Sequence, residues 1–272
     1  MNALNLNESV TAEAFSKQSV LFDELYRANS IVSYKRERVR AHVSRYLKNQ
    51  SQILELNSGT GDDAIYFAKE GHTIHATDIS LGMQWELKKK IDLAGLTGKI
   101  STELCSYTKL HSLKTRGPYD TIFSNFAGLN CTPNLQSVLF SFTHLLKPAG
   151  TITMVILPTF CLWEFLLIFK GKFKTAFRRL LYKNGAPAHV EGTHFKCWYY
   201  NPIYIINTLK DTFEVVEIEG LCTLVPPSYI EGFAEKRPKT FNFLKNLENK
   251  LCQHWFWRNV GDYYIITLKK KS

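Results

Sequence analysis

Between residues 10 and 48 the apolar positions Phe15, Val20, Phe22, Leu25, Tyr26, Ile31, Val39, Val43 and Leu47 recur at helical spacing, which predicts two helices with a break near Asn29 and Ser30. The period then changes. Short apolar runs alternate with amphipathic stretches: QILEL as strand, DDAIYFAKEG as helix, TIHATD as strand, LGMQWELKKKIDLAGL as helix, KISTELC as strand. The alternation continues with YDTIFSNF as strand, NLQSVLFSFTHLL as helix and GTITMVIL as strand, the last set up by the turn KPAG. Such a rhythm marks parallel βαβ units, and five parallel strands are expected by residue 157. Beyond Pro158 the rhythm breaks. An apolar and basic segment (159–183) leads to the strand-like HFKCWYY, a helix near 202–210, the strand FEVVEIEGL, a helical insertion (227–256) and a closing strand DYYIITLKK. No repeat or flexible linker marks a domain boundary, so 272 residues read as one domain with appendages.

Composition changes this picture little. At 45% hydrophobic and 21% charged, the chain belongs with ordinary globular proteins rather than disordered or fibrous ones. Cysteines 105, 131, 161, 197, 222 and 252 are scattered without a CxxC pair or a histidine at zinc-ligand spacing, so reduced, mostly buried thiols and no metal are expected. The N-terminal MNALNLNESVTAEAF lacks the basic start and apolar core of a secretory signal, which points to the cytoplasm. A formal charge of +10 raises the question of nucleic acid. The cations, however, cluster at YKRERVRAHVSRYLK (34–48), KGKFKTAFRR (170–179) and the terminal LKKKS, and the first and last read as a solvated helix face and a frayed tail.

The chemistry concentrates in ILELNSGTGDDAIYFAKEGHTIHATDIS (53–80). A hydrophobic strand ends at Leu56, and Gly59 and Gly61 let the backbone turn tightly and approach a ligand. Asp78, with Ile79 beside it, ends the next strand and is placed to accept hydrogen bonds from two ribose hydroxyls. Gly59, Gly61 and Ala64 also satisfy the GxGxxG/A dinucleotide pattern, so an NAD(P)-dependent oxidoreductase is the alternative. Asp62 and Asp63 at the helix start would repel a pyrophosphate but not a phosphate-free sulfonium, and Glu55 adds a negative group suited to a methionyl ammonium.

Glu55-Leu-Asn-Ser-Gly59-Thr-Gly61 with Asp78 resembles motif I and the acidic strand-two residue of class I S-adenosylmethionine (SAM)-dependent methyltransferases. YDTIFSNFAGLN is similar to that family's fourth-strand segment, LLKPAGTITMVI to its fifth-strand lead-in, and AEAFSKQSVLFDELY to its N-terminal cap. The resemblance covers residues 10–157 and implies a doubly wound, mostly parallel α/β sheet of seven strands with an antiparallel closure. It implies a single methyltransferase domain over 1–272, with a helical cap (10–48), a SAM-binding core (51–157) and lid or substrate insertions (158–211 and 222–258). Asn57 stands where most members have a first glycine, and Asn tolerates left-handed backbone angles. SAM is the implied cofactor, held by Glu55, Asn57, Ser58, Gly59, Gly61, Asp78 and Ile79, with adenine contacts at Cys105, Ser106 and Tyr107. Asn125 and Phe126 are expected at the switch-point crevice and Phe22 on the cap, with Tyr26 beside it.

Methyl transfer needs alignment and exclusion of water, with a base optional. HVEGTHFKCWYY falls where the family builds its substrate pocket, and His194 is the candidate base among its His189, Glu191, His194, Tyr199 and Tyr200. Strand four ends in SNFAG without the prolines of amino-methylating nucleic-acid enzymes, so the expected acceptor is a small, hydrophobic metabolite methylated on oxygen or carbon, not nucleic acid. The segment 159–183 is too short and interrupted to span a bilayer, which needs about 20 apolar residues, yet its mixture of apolar residues and cations would suit peripheral membrane contact or an inward-packing lid. Without an assured base, a non-catalytic SAM-binding or membrane-associated protein is a further alternative. P-loop, HExxH, GxSxG and EF-hand patterns do not occur.

Overall fold

In the computed structural model, which describes residues 3–271, strands and helices alternate largely as the hydrophobic pattern predicts. Helices α1 (Ala3–Arg27) and α2 (Ser30–Ser44) lead into β1 (Gln52–Leu56), α3 (Asp62–Lys69), β2 (Thr73–Asp78), α4 (Leu81–Leu93) and β3 (Ile100–Leu104). There follow β4 (Tyr119–Ser124), α5 (Leu135–Ser141), β5 (Leu146–Ile156) and three short helices, α6 (Leu162–Phe165), α7 (Phe173–Ala176) and α8 (Arg178–Leu181). The chain closes with β6 (Ala186–Val190), β7 (Thr193–Cys197), α9 (Pro202–Leu209), β8 (Phe213–Leu221), α10 (Phe233–Lys236), α11 (Pro238–Leu251) and β9 (Tyr263–Lys270).

Seven strands form one sheet in the order β3-β2-β1-β4-β5-β9-β8. The first five are parallel, and β9 inserts antiparallel between β5 and β8. HFKCWYY does not join this sheet: its strand β7 pairs with β6 in a separate hairpin. Alternate residues of the central strands feed two cores. Leu54, Leu56, Ile122, Ile152 and Met154 pack with α5 and α9, while Ile53, Phe123 and Val155 pack with α2, α3 and α4. Burial on both faces explains why these strands read as nearly continuous apolar runs.

The break between the cap helices is built by Asn29, whose side chain accepts hydrogen bonds from the backbone N–H of Ile31 (3.0 Å) and Val32 (3.1 Å) and so caps α2. The solvated basic face expected for α2 is not what forms. Arg38 and Arg45 pair with the buried Glu219 of β8, both at 2.5 Å, and His42 is buried between Glu219 (3.1 Å) and Thr267 of β9 (2.7 Å). Burial alone would raise the Glu219 pKa, but His42 and the two arginines hold it far below the carboxylate range. The lysines at the C-terminus are not a frayed tail either, since Lys270 ends β9 with its ammonium on the carbonyls of Thr143 (2.7 Å) and Leu146 (3.0 Å). Sequence spacing could not reveal these partners, because the acids lie far along the chain.

Helix α1 lies across the start of α4, where Ser16 Oγ is 2.8 Å from Ser80 Oγ. A Cβ at Gly82 would sit 2.7 Å from the Ser16 carbonyl oxygen and 2.9 Å from its Cα, so only glycine permits this approach. Gly82→Ala should therefore destabilise the protein by about 1–3 kcal/mol through overpacking, offset by at most about 1 kcal/mol of helix propensity. Denaturant unfolding and the rate of proteolysis within α1 would register the loss. Unchanged values for both would show that α1 does not seat on α4 in this way.

Candidate active site

The turn after β1 combines three left-handed residues, Asn57 (φ 45°), Gly59 (φ 56°) and Gly61 (φ 79°). The two glycines serve different ends. A Cβ on Gly59 would meet nothing within 4 Å and would project into open space, whereas one on Gly61 would lie 2.0 Å from Leu87 Cδ1, so Gly61 lets α3 start tightly against α4. Asn57 is held by its side chain: Nδ2 donates to the Asn125 carbonyl (2.9 Å) and Oδ1 accepts from Ser124 Oγ (2.6 Å). These bonds tie the β1 turn to the end of β4 and offset the strain of a non-glycine residue at positive φ.

Asp78 stabilises the turn from β2. Its Oδ2 accepts from Gly59 N (2.9 Å) and its Oδ1 from Ser80 N (2.8 Å). Burial raises its pKa, and these backbone donors partly counter the rise. Each carboxylate oxygen retains a free lone pair for a further donor. Glu55 is buried at 3% exposure, and its Oε2 has no hydrogen-bond partner. Burial, reinforced by the nearby Asp63, pushes its pKa well above the usual carboxylate range.

The acids at the start of α3 are not free. Asp63 accepts from Arg40 Nε (2.7 Å) and Asn125 Nδ2 (2.7 Å), with Arg36 at 3.3 Å. Asp62 pairs with Lys90 (2.7 Å) and Arg36 (3.5 Å); burial would raise its pKa, but these cations lower it. The repulsion of a pyrophosphate expected from Asp62 and Asp63 is thus largely neutralised by the cap and α4. The acid here with an oxygen left unpaired is Glu55.

A cavity of about 130 Å³ opens at the C-terminal ends of β1, β2 and β4, beside the point where the strand order reverses. Its floor includes Glu55, Gly59, Asp78, Asn125 and Phe126. Its roof is α1, through Glu8, Thr11, Phe15 and Phe22. Polar bonds stitch the roof down: Thr108 Oγ1 donates to Glu8 (2.8 Å), Asn7 Nδ2 to the Cys131 carbonyl (2.9 Å), and Thr60 Oγ1 to Asp23 (2.5 Å). At the far wall Phe126 and Ala127 are both left-handed, at φ 48° and 59°. The Phe126 ring lies under the Arg36 guanidinium (4.9 Å) and Lys35 ammonium (5.4 Å), which hold this strained corner.

Of the residues expected from sequence, Glu55, Asn57, Ser58, Gly59, Asp78, Ile79, Asn125, Phe126 and Phe22 line the cavity. Gly61 lies behind the turn. Cys105 is buried with its thiol near the Lys109 carbonyl (3.7 Å), and Ser106 caps the following turn and bonds Glu8, so Tyr107 is the residue of this loop, together with Ile79 and Met83, that reaches the cavity. Tyr26 stacks on Phe22 (4.6 Å) and faces a neighbouring groove between the cap and α3. His194 is exposed, paired with His189 across the β6–β7 hairpin (4.7 Å between rings). Its neighbour Phe195 takes the inward position against Phe15 of α1. Strand alternation thus turns His194 away from the cavity. Arg36, Thr11, Glu8, Gly128 and Cys131 line the cavity without having been singled out. The spacing of Glu8, Thr11, Phe15 and Phe22 along one helical stripe was the signal available for the roof.

A family model described as "Methyltransferase domain" matches residues 53–150, the stretch that carries the glycine turn, Asp78 and the β4 corner. No curated protein matches the sequence. Among solved structures, an S-adenosylmethionine-dependent methyltransferase assignment from Listeria monocytogenes superposes with a TM-score of 0.59 at 16% identity, covering 87% of this chain and 99% of that one. The 1,6-didemethyltoxoflavin-N1-methyltransferase of Burkholderia thailandensis gives 0.58 at 14% identity, over 100% of this chain and 92% of that one. Geranyl diphosphate C-methyltransferase of Streptomyces coelicolor gives 0.55 at 9% identity, over 86% and 76%. At these identities the likeness speaks for the fold, and the family match on residues 53–150 speaks for the chemistry. Residues 53–150 thus match a methyltransferase domain, and that match together with the fold supports a SAM-dependent methyltransferase with S-adenosyl-L-methionine as cofactor. The domain match favours this chemistry over the dinucleotide one.

A Cβ on Gly128 would fall 2.2 Å from Asn57 Cγ, so a large residue on the β1 turn and a missing one on the β4 corner fit together. Gly128→Ala should cost about 1–3 kcal/mol by overpacking. In an Asn57→Gly background the same change should cost less than half as much, because the obstructing amide is gone. A double-mutant cycle by denaturant unfolding checks this, and additive effects would contradict it.

Proposed function

We propose that the protein transfers the methyl group of SAM to a small, hydrophobic acceptor, on oxygen or carbon, within the cavity under α1. The observation carrying this reading is the cavity itself, whose lining combines polar Glu55, Gly59 and Asp78 with apolar Phe15, Phe22, Met83 and Phe126. The polar lining fits the cofactor by its own chemistry. Gly59 leaves open the space a side chain would fill, Asp78 has lone pairs for a ribose diol, and the orphaned Glu55 Oε2 and the Arg36 guanidinium suit the ammonium and carboxylate of a methionyl group. When bound, SAM supplies an electrophilic methyl carbon for in-line displacement.

The work left to the protein is alignment and exclusion of water. Phe126, fixed by its left-handed backbone and by Arg36 and Lys35, forms a rigid wall for the acceptor. Phe15 and Phe22 close the opposite side. With His194 outside the cavity, the reading favours an acceptor whose nucleophile needs no histidine base, such as an acidic phenol or an enolisable carbon. Two of the similar folds are described as acting on small molecules, a toxoflavin precursor and geranyl diphosphate, which is compatible with a small acceptor here.

Calorimetry should detect S-adenosylhomocysteine binding and no NADH binding, and labelled SAM should yield methylated products from a panel of phenolic, quinone-like and polyketide-derived compounds. Binding of the cofactor product together with labelling of only hydrophilic amines or nucleic acids would overturn the acceptor class.

Glu55 should also link binding to pH. Its raised pKa means the empty site favours the neutral acid, whereas a methionyl ammonium beside it favours the carboxylate, so a proton leaves on binding. Affinity for S-adenosylhomocysteine should therefore rise as pH climbs from the acid side towards Glu55's raised pKa and level off above it. Glu55→Gln should remove both that slope and the released proton, and weaken binding about tenfold, as expected for a lost charged hydrogen bond. Equal binding enthalpies in buffers of different ionisation heat, in the unaltered protein, would sink this assignment.

A further inference from the structure

The segment from Thr159 to Val190 contains one acid, Glu164, and that acid is buried. Its Oε1 accepts from Arg179 Nη2 (2.8 Å) and Arg178 Nη2 (2.8 Å). Arg179 is itself buried and reaches on to Asp262 Oδ1 (2.6 Å) and to the carbonyls of Asp262 (2.9 Å) and Pro158 (3.3 Å). Phe165 packs inward between Phe160 (5.6 Å) and Phe177 (6.1 Å). The segment is therefore clamped beside the start of β9, although the buried Glu164 Oε2, Trp163 Nε1 and Arg178 Nε have no hydrogen-bond partner.

What this clamp displays outward is unusual for a surface. Phe169 is 86% exposed, Leu181 69% and Phe173 58%. Between and beside them Lys170, Lys172, Lys174 and Lys183 are exposed, and none forms an ion pair among the described residues. Large apolar groups held in water without cover, set among cations with no acid to answer them, match a surface that is apolar below and negative at its face. A second copy of this chain would bring the same lysines against one another. Nucleic acid would answer the lysines but gain little from Phe169 and Leu181.

We propose that residues 166–183 form a docking surface for an anionic lipid bilayer, with Phe169, Phe173 and Leu181 entering the headgroup boundary and the four lysines resting on anionic headgroups. No helix among the described residues is long and apolar enough to cross a membrane, so the contact is peripheral. It stands independently of the acceptor proposed above.

Cosedimentation of the full chain with phosphatidylcholine vesicles, and with vesicles also containing phosphatidylserine, tests it. Partition should favour the anionic vesicles and fall with added salt. A lysine near such a surface is worth about a fivefold change in partition, so Lys170→Gln/Lys172→Gln/Lys174→Gln should reduce it about a hundredfold. Phe169→Ser/Phe173→Ser should reduce it about tenfold or more, while thermal stability and S-adenosylhomocysteine affinity stay unchanged in both variants. Equal partition to neutral and anionic vesicles, no partition at low salt, or partition insensitive to either variant would each overturn the proposal. So would self-association abolished by the phenylalanine changes, or tighter binding to an oligonucleotide that displaces the vesicles.

Discussion

The carboxylate of Asp63 gathers the first turn of α3, the cap helix α2 and the end of β4 onto one point. It accepts from Arg40 and Asn125 at 2.7 Å each, with Arg36 close by, and it is almost wholly buried. A buried charge is tolerated only when such partners answer it, and removing one of them would leave the rest uncompensated. The arrangement therefore holds three separate elements in register. Asn125, oriented by Asp63, accepts from Phe126 N at 2.7 Å and so supports the left-handed corner that forms the cavity wall. The glycine turn depends on the same corner, through Asn57 and the Asn125 carbonyl.

The cap is attached by two different means. Helix α2 is bound to the sheet through buried charges, with His42, Arg38 and Arg45 around Glu219. Helix α1 is stitched by short polar contacts along its length and covers the cavity with Phe15 and Phe22. The part-buried polar bonds of α1 involve single neutral or partly exposed partners and open at less cost than the buried ionic cluster of α2. The division suits a site that must exclude water during methyl transfer and release its product afterwards.

The pattern of the chain made the parallel half of the fold legible, because strands buried on both faces leave apolar runs and glycine turns leave few alternatives. The nearness of Gly59 and Asp78 follows from the same pattern: they sit at the ends of adjacent strands, where βαβ geometry brings them together. Of the loop expected to reach the ligand, Cys105, Ser106 and Tyr107, only Tyr107 is turned into the cavity, because position in a loop does not say which way a side chain points. His194 misled because the hairpin carrying it stands apart from the main sheet, and strand alternation gave the inward place to Phe195. Arg36 was hidden within a run of cations that looked like a solvated face.

By itself the sequence determined the order of the parallel strands and their helices up to residue 156 and the place of the ligand turn, since these follow from short-range spacing and from which residues tolerate left-handed backbone angles; spacing left two cofactors open, and the resemblance to a known family chose between them. Tertiary structure alone decided where the charges went. The arginines of α2 found Asp63 and Glu219, and Arg179 found Glu164 and Asp262, leaving Glu55 as the unpaired acid within the site and the lysines of 170–183 as unpaired cations outside it. Electrostatic partners separated by long stretches of chain carry no periodic signal. Only the packing of distant segments reveals which charge is answered and which remains free.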